Sequence, residues 1–408
     1  MNMIDYLVWR GDLTFSQSAF NEVDNLLMCY LAYVNLDHVA PGMGEEAITI
    51  QELSNRFFEK YSEDDLKKDK SFIRCAPYVL HEMAKTKRFG DLLVQNYVNK
   101  IDLDKMLQFA AIEILLGDGT IFVAYRGTDD TIVGWKEDFY LSRGIVPADE
   151  EAVNYLNVVC APSKKTILDK FLPNHAAKKE AKIRIGGHSK GGNLAIYAAA
   201  CCETSIQDRI INVYSNDDPG FLKEFTEREG MQKIKDRVTR IVPESSVIGM
   251  LLSHTVEPVV IESSQSTIMQ HDGFSWEVEG PSFIRCGDLS NFSVVLDEAI
   301  QTWLEQIPEE KREPVIRDLF SVLEATGAET LTELQDGGIK NLRILMKQVD
   351  AMDSESKGVL QDLLREIMQR VPQMLGITEK FNLIKKNGAK EGHADIFLDR
   401  YAYTPSII

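Results

Sequence analysis

The chain has 408 residues, 44% hydrophobic and 26% charged, with a formal net charge of −18. That length and apolar fraction suit a globular protein of one large domain or two ordinary ones. The excess of acid repels phosphate backbones, so nucleic-acid binding is not expected, and it argues against constitutive docking to anionic lipid.

Met1–Arg10 has no basic n-region, no long apolar core and no small-residue cleavage site, so it does not read as a signal peptide. A short extended start is expected there. Asn21 and Asp24 can cap a helix carrying Val23, Leu26, Leu27, Tyr30, Leu31 and Val34 on one side. Further helices are predicted near 47–61, 77–85 and 90–98, so residues 1–105 read as mainly helical, packing on a sheet or covering a site. The sheet is predicted to begin at Met106, with strands over 106–116 and 120–125 joined by Gly117-Asp118-Gly119, a strong turn signal.

A helix-rich stretch follows. Lys182 to Ile185 then alternates as a half-buried strand does, and Gly191 to Ala200 is small and helix-compatible. More strands are predicted over 210–214, around 238–242 and around 259–262. Strands alternating with helices indicate an α/β fold with a mostly parallel central sheet, whose ligand crevice lies outside the carboxyl ends of the strands. From about Ser290 the pattern turns helical. Val294, Val295, Ala299, Ile300, Trp303, Leu304 and Ile307 make one stripe, and Val315, Ile316, Leu319, Phe320 and Leu323 another. Two more helices are predicted over 339–352 and 359–371. The chain therefore divides into an α/β domain over 1–290 and a helical C-terminal extension over 291–408, whose apolar stripes read as core or protein-contact faces. No apolar run approaches 20 residues, so no transmembrane helix is expected. Six cysteines, far apart except for the adjacent Cys201 and Cys202 and without metal spacing, suit reduced thiols in the cytoplasm.

The chemistry concentrates in Gly187-His188-Ser189-Lys190-Gly191, a G-x-S-x-G between a strand and a helix. In a nucleophile elbow the serine sits on that sharp turn with its hydroxyl exposed, and glycines beside it relieve clashes with strand and helix. The helix N-terminus aims free N–H groups at the reacting centre, and the amide of Lys190 is one expected oxyanion donor. A serine needs a base, and the base an orienting acid. Chain order in such folds runs Ser, acid, His, which leaves His254, His271 and His393. His271 lies in a loop after the last predicted strand and is the expected base. His188 should point away from Ser189, as a packing or substrate-contacting residue. For the acid, Asp217 at a strand-end turn is preferred, with Asp218 and Glu244 as alternatives. The second oxyanion donor is expected from Thr128, after the strand ending at Tyr125. A helix carrying Trp135, Asp138 and Phe139 is predicted beyond it.

Phe122-Val-Ala-Tyr-Arg-Gly-Thr128, Trp135-Lys-Glu-Asp-Phe139 and Gly187-His-Ser-Lys-Gly-Gly-Asn-Leu-Ala195 together resemble the lipase class 3 group of the α/β-hydrolase superfamily. More closely, the chain resembles a bacterial family of lipase-like proteins of unknown function. That likeness includes Gly11-Asp-Leu-Thr-Phe15, Asp217-Asp-Pro-Gly-Phe221, Pro243-Glu-Ser-Ser-Val-Ile-Gly-Met250, Gln270-His-Asp272 and Phe274-Ser-Trp276, and covers about 1–290. It implies Ser189 as nucleophile, His271 as base, and Thr128 with Lys190 at the oxyanion hole. One position departs. The class 3 acid matches Ser246 here, which favours an acid displaced to Asp217, a placement that other lipase groups use.

These observations lead to the expectation of a cytoplasmic serine hydrolase acting on a small-molecule or lipid ester, with no metal or organic cofactor. Esterase, lipase and thioesterase are not distinguished, and a peptidase or acyltransferase would use the same machinery. The 140–173 stretch and Gly249-Met-Leu-Leu252 are candidate apolar covers. The competing reading is a catalytically silent hydrolase fold that binds a protein partner, or itself, through the C-terminal helices.

Overall fold

One sheet of eight strands runs in simple chain order: β1 (Ile48–Thr49), β2 (Leu93–Asp102), β3 (Leu107–Leu115), β4 (Ile121–Tyr125), β5 (Ile183–His188), β6 (Ile210–Asn216), β7 (Val238–Pro243) and β8 (Val259–Ile261). The computed structural model describes residues 1–66, 75–102, 107–128, 146–161, 181–265 and 267–291, with Ile73 and scattered positions beyond Asn291. Strands β1 to β4 pair antiparallel, and β4 to β8 pair parallel. The parallel half needs crossovers, and its carboxyl ends all fall along one edge of the sheet.

Alternation along β4 builds two cores. Phe122 and Ala124 face a cluster made largely by the N-terminal helices α1 (Met3–Arg10), α2 (Glu22–Leu31), α3 (Ile50–Lys60) and α4 (Ala76–Ala84). Ile121, Val123 and Tyr125 face the other cluster, with α5 (Pro147–Val159) and α6 (Lys190–Cys201). Side chains two residues apart share a face, so one strand serves both layers. Helix α6 is buried from Lys190 to Ala200; its glycines and alanines let it lie close on the sheet.

The parallel strands occur where the sequence predicts them, within one or two residues at each end except that β5 runs three residues past Ile185, to His188. The N-terminal region differs in three ways. The start is not extended: Asn2 and Asp5 form a capping box that opens α1, which buries Met3, Tyr6 and Leu7 at helical spacing. The stretch over 90–98 is not a helix but the start of β2. A bulge there shifts the register between Gln95 and Val98, with Asn96 at a φ of 54°. The bulge moves the next buried side chain from the second to the third position (Val94, then Tyr97), which imitates a helical period. The sheet therefore begins before Met106, at the two-residue β1 that precedes α3. The predicted helices over 359–371 and with Trp135, Asp138 and Phe139 lie outside the described residues, as does that over 339–352 apart from Ile344 and Lys347, which are helical.

Asp24 caps α2 and also anchors the N-terminal layer. Arg88 is 2% exposed, and each guanidinium N–H finds an acceptor. Nε donates to Asp24 Oδ1 (2.8 Å) and Nη2 to Asp24 Oδ2 (2.5 Å). The remaining donors reach the carbonyls of Leu13 (2.8 Å), Ser18 (3.0 Å) and Ala19 (3.1 Å). The Phe15 ring lies 4.1 Å from the guanidinium carbon, and the Arg88 amide bonds the Gly11 carbonyl. Gly11-Asp-Leu-Thr-Phe15 is thus a cradle for one buried cation. Removing one partner of such a pair strands the other charge. Arg88→Met or Asp24→Asn should lower stability by about 3–5 kcal/mol, read as a lower urea midpoint at unchanged slope. A loss under about 1 kcal/mol would show the pair to be solvated.

Candidate active site

The β5–α6 turn is as tight as its sequence predicts. Ser189 has φ 57° and ψ −135°, a conformation that side chains other than glycine rarely adopt and that costs on the order of 1–3 kcal/mol. Its amide donates to the Asn216 carbonyl (2.9 Å), and its carbonyl accepts from Gly192 N (2.8 Å). A Cβ at Gly187 would come within 2.5 Å of Gly192 N, so the strand can approach the helix only as glycine. The loop after β4 lies against this turn. A Cβ at Gly127 would be 3.1 Å from Ser189 Cβ, and would also meet the Tyr33 hydroxyl and the His188 carbonyl. Thr128, next in the chain, is buried. Lys190 supplies the first amide of α6. Its ammonium leaves the turn to donate to the Gln108 carbonyl of β3 (3.0 Å), and the residue is 1% exposed.

The last three parallel strands bring an acid and a histidine together. Asp217 follows β6 with a φ of 53°, and its amide bonds the Ile241 carbonyl. His271 closes a 3-10 turn over Thr267–His271 beyond β8. His271 Nδ1 and Asp217 Oδ2 are 2.6 Å apart, and both side chains are buried. An Nδ1–H donated to the carboxylate leaves the lone pair on Nε2. The other carboxylate oxygen accepts from Ser246 Oγ, which itself accepts from Gly249 N (2.9 Å). Ser246, the position at which the resemblance leads one to expect a carboxylate, is instead a hydrogen-bond donor to Asp217.

The other candidates are engaged elsewhere. Asp218 accepts from Ser215 Oγ and Gly220 N, with His254 Nδ1 4.0 Å away. Glu244 lies by the Cys286 thiol, 3.8 Å. His254 is held far down at about 4, by burial first and then by Arg240. His393 lies outside the described residues.

Three consecutive residues of the His271 loop are clamped, which the isolated motif Gln270-His-Asp272 does not disclose. Trp276 Nε1 donates to the Gln270 carbonyl (2.8 Å), and Gln270 Oε1 accepts from Ser245 N (2.8 Å). His188 Nε2 meets the His271 carbonyl at 2.6 Å. Tyr30 donates to Asp272 Oδ1 (2.7 Å), whose carboxyl burial pushes up. The loop after β7 is braced in turn by the segment at 290–293. Ser290 N donates to the Glu244 carbonyl (2.7 Å), Ser245 Oγ to Ser290 Oγ (2.9 Å), and Ser293 Oγ to the Ser246 carbonyl. Among the described residues, no three His, Cys, Asp or Glu side chains group as metal ligands would.

The sequence model of the Mbeg1-like family matches residues 83–321. Three lipases of known structure are similar at low identity. The M37 lipase is 20% identical, with a TM-score of 0.31, over 47% of this chain and 70% of that one. The Rhizomucor miehei lipase in its propeptide complex is 16% identical, TM-score 0.30, over 42% and 57%. The Lip2 lipase from Yarrowia lipolytica is 13% identical, TM-score 0.31, over 60% and 82%. No curated protein matches the chain.

The two buried histidines give a test of the site's electrostatics. His188 is pushed down to about 3, by burial first and then by the neighbouring His271, and His254 to about 4. Unfolded, both rings titrate at their ordinary 6.5. Below that pH the unfolded chain takes up protons that the folded one refuses, so stability falls on acidification. The slope is up to about 1.4 kcal/mol per pH unit per ring. The urea midpoint should be lower at about pH 5.5 than at about pH 7.5, and His254→Gln should flatten that difference. A wild-type profile already flat over this range would mean that both rings take up protons in the folded state.

Proposed function

This chain belongs to the Mbeg1-like family, and from the geometry of its site we propose that it is a serine hydrolase of acyl esters. The observation that carries the reading is the 2.6 Å contact of His271 Nδ1 with buried Asp217, at the same sheet edge as a serine held at φ 57°. In this reading Ser189 Oγ attacks the acyl carbonyl and His271 Nε2 takes its proton. Asp217 keeps the imidazole in the Nδ1–H tautomer and stabilises the imidazolium that forms. The amides of Lys190 and Thr128 hold the oxyanion. Collapse of the tetrahedral intermediate expels the alcohol, protonated by His271. Water, activated by the same imidazole, then releases the acid from Ser189.

The elbow motif and its resemblance to class 3 lipases support an ester as the substrate class. Six cysteines without a disulfide suit a reducing compartment, which supports a cytoplasmic place of action. No helix among the described residues is long and apolar enough to cross a membrane. The helical extension over 291–408 remains part of the proposal, as a contact surface for a protein partner or a second copy.

A fluorophosphonate probe tests the reading. The wild type should be labelled stoichiometrically and Ser189→Ala not at all. Asp217→Asn should cut ester turnover by about 10⁴-fold by reversing the tautomer. Asp218→Asn and Glu244→Gln should stay within about threefold of wild type, since neither carboxylate meets His271. A folded wild type that resists the probe, or a Ser189→Ala variant with undiminished turnover, would overturn the assignment and favour the silent, binding role.

A further inference from the structure

We propose that His188, the residue before Ser189, is a positioning residue that holds the main chain of His271 through its Nε2–H and ties it to the loop after β4. The inference rests on the serine-hydrolase reading and extends it to a side chain that the reading leaves unused.

His188 ends β5, and its side chain lies among Tyr30 and Tyr33 of the N-terminal layer, Trp276 and His271. It is 1% exposed, so a substrate does not meet it. Both ring nitrogens are committed. Nε2 faces the His271 carbonyl at 2.6 Å. A carbonyl only accepts, so Nε2 must carry the hydrogen. Nδ1, 3.1 Å from the Tyr33 hydroxyl, is then the acceptor side of a neutral ring. The Tyr33 hydroxyl also donates to the His188 carbonyl at 3.0 Å, so its single hydrogen is shared between that carbonyl and Nδ1. The same hydroxyl occupies the space a side chain at Gly127 would need. One neutral imidazole thus links the β4 loop, through Tyr33, to the backbone of the proposed base.

The linkage has a mechanical consequence. His271 sits on a 3-10 turn, and a 3-10 turn has little stiffness of its own. Asp217 fixes the imidazole at Nδ1 but not the carbonyl behind it. With the carbonyl held as well, the ring is constrained at two points. The two imidazoles also lie face to face at a tilt, centroids 4.7 Å apart with 36° between planes. A charged ring at 188 would repel the imidazolium that forms on His271 during acylation. Burial and the neighbouring His271 keep it neutral. Leucine at this position would fill the space and leave the carbonyl without a donor. Glutamine could present an N–H at about the same reach.

The experiment measures the saturable reaction of the full-length protein with the fluorophosphonate probe, for wild type, His188→Leu, His188→Gln and Tyr33→Phe, with thermal unfolding in parallel. His188→Leu should lower the limiting labelling rate by about 10–100-fold without weakening probe binding, as a misplaced base does. His188→Gln should recover to within about threefold of wild type. Tyr33→Phe, which removes only the hydroxyl, should slow labelling by about 3–10-fold, and it stands in if His188→Leu does not fold. A folded His188→Leu that labels at the wild-type rate, or a Gln variant as slow as Leu, would reduce His188 to a packing residue and overturn the proposal. So would a wild-type rate in Tyr33→Phe. An unlabelled wild type would instead sink the hydrolase reading beneath it.

Discussion

The site depends on a steric permission at one turn. Strand β5 can pass into α6 only if the backbone takes a left-handed step at residue 189 and nothing projects from Gly187 towards the helix. Granted that step, several consequences follow together. The serine leaves the plane of the sheet, and the first amides of α6 open toward it. The loop after β4 can close on the turn because residue 127 is also glycine. A Cβ at either glycine would force strand, helix and loop apart. The strain at Ser189 persists because its amide donates to the Asn216 carbonyl and its carbonyl accepts from Gly192 N, which hold the peptide on both sides.

Around that turn, the parallel half of the sheet works as a ruler. Consecutive neighbours β4 to β8 end along one edge, and each end carries one residue of the proposed site: Thr128, Ser189, Asp217, Ser246 and His271 in strand order. Because β6, β7 and β8 are neighbours, Asp217, Ser246 and His271 meet although they lie far apart in sequence. The 54-residue span from Asp217 to His271 closes to 2.6 Å in this way. The departure at Ser246 is resolved by the same geometry. β6 and β7 are adjacent, so Asp217 after one and Ser246 after the other meet, and Ser246 Oγ donates to the Asp217 carboxylate.

The N-terminal helices are part of this framework, not a detachable cover. Asn25 donates to Asn216 Oδ1 (2.9 Å), and Asn216 Nδ2 to the Gly187 carbonyl (2.9 Å), so α2 supports the β5–β6 pair directly. Tyr30 and Tyr33 then reach the loop of His271 and the ring of His188. What keeps α2 in place is the buried Asp24–Arg88 pair, far from the chemistry. Disturbing that cation should loosen the elbow only through α2, so the layer couples stability to site geometry without any of its charges entering the site.

Much of this was written in local pattern. The elbow needs glycine, serine and a strand-to-helix change within a few residues, all contiguous, and the parallel strands announce themselves by short apolar runs between turn residues. The capping box at Asn21 and Asp24 is equally local. Where the local pattern is ambiguous, sequence and structure part. The bulge at Asn96 gives β2 the buried spacing of a helix, and α1 depends on the Asn2–Asp5 capping box at the very start of the chain. The choice among Asp217, Asp218 and Glu244 was open for a different reason. Adjacent carboxylates are chemically alike in sequence, and only the left-handed step at Asp217 sends one toward His271 and the other back to Ser215. The roles of Tyr30, Tyr33, His188 and Ser246 are likewise contacts between distant segments. Thus the sequence by itself determined the α/β class, the elbow and the order of its candidate chemistry. Tertiary structure alone decided which carboxylate meets His271 and what holds that histidine in place, because those are distances across the fold and not properties of neighbouring residues.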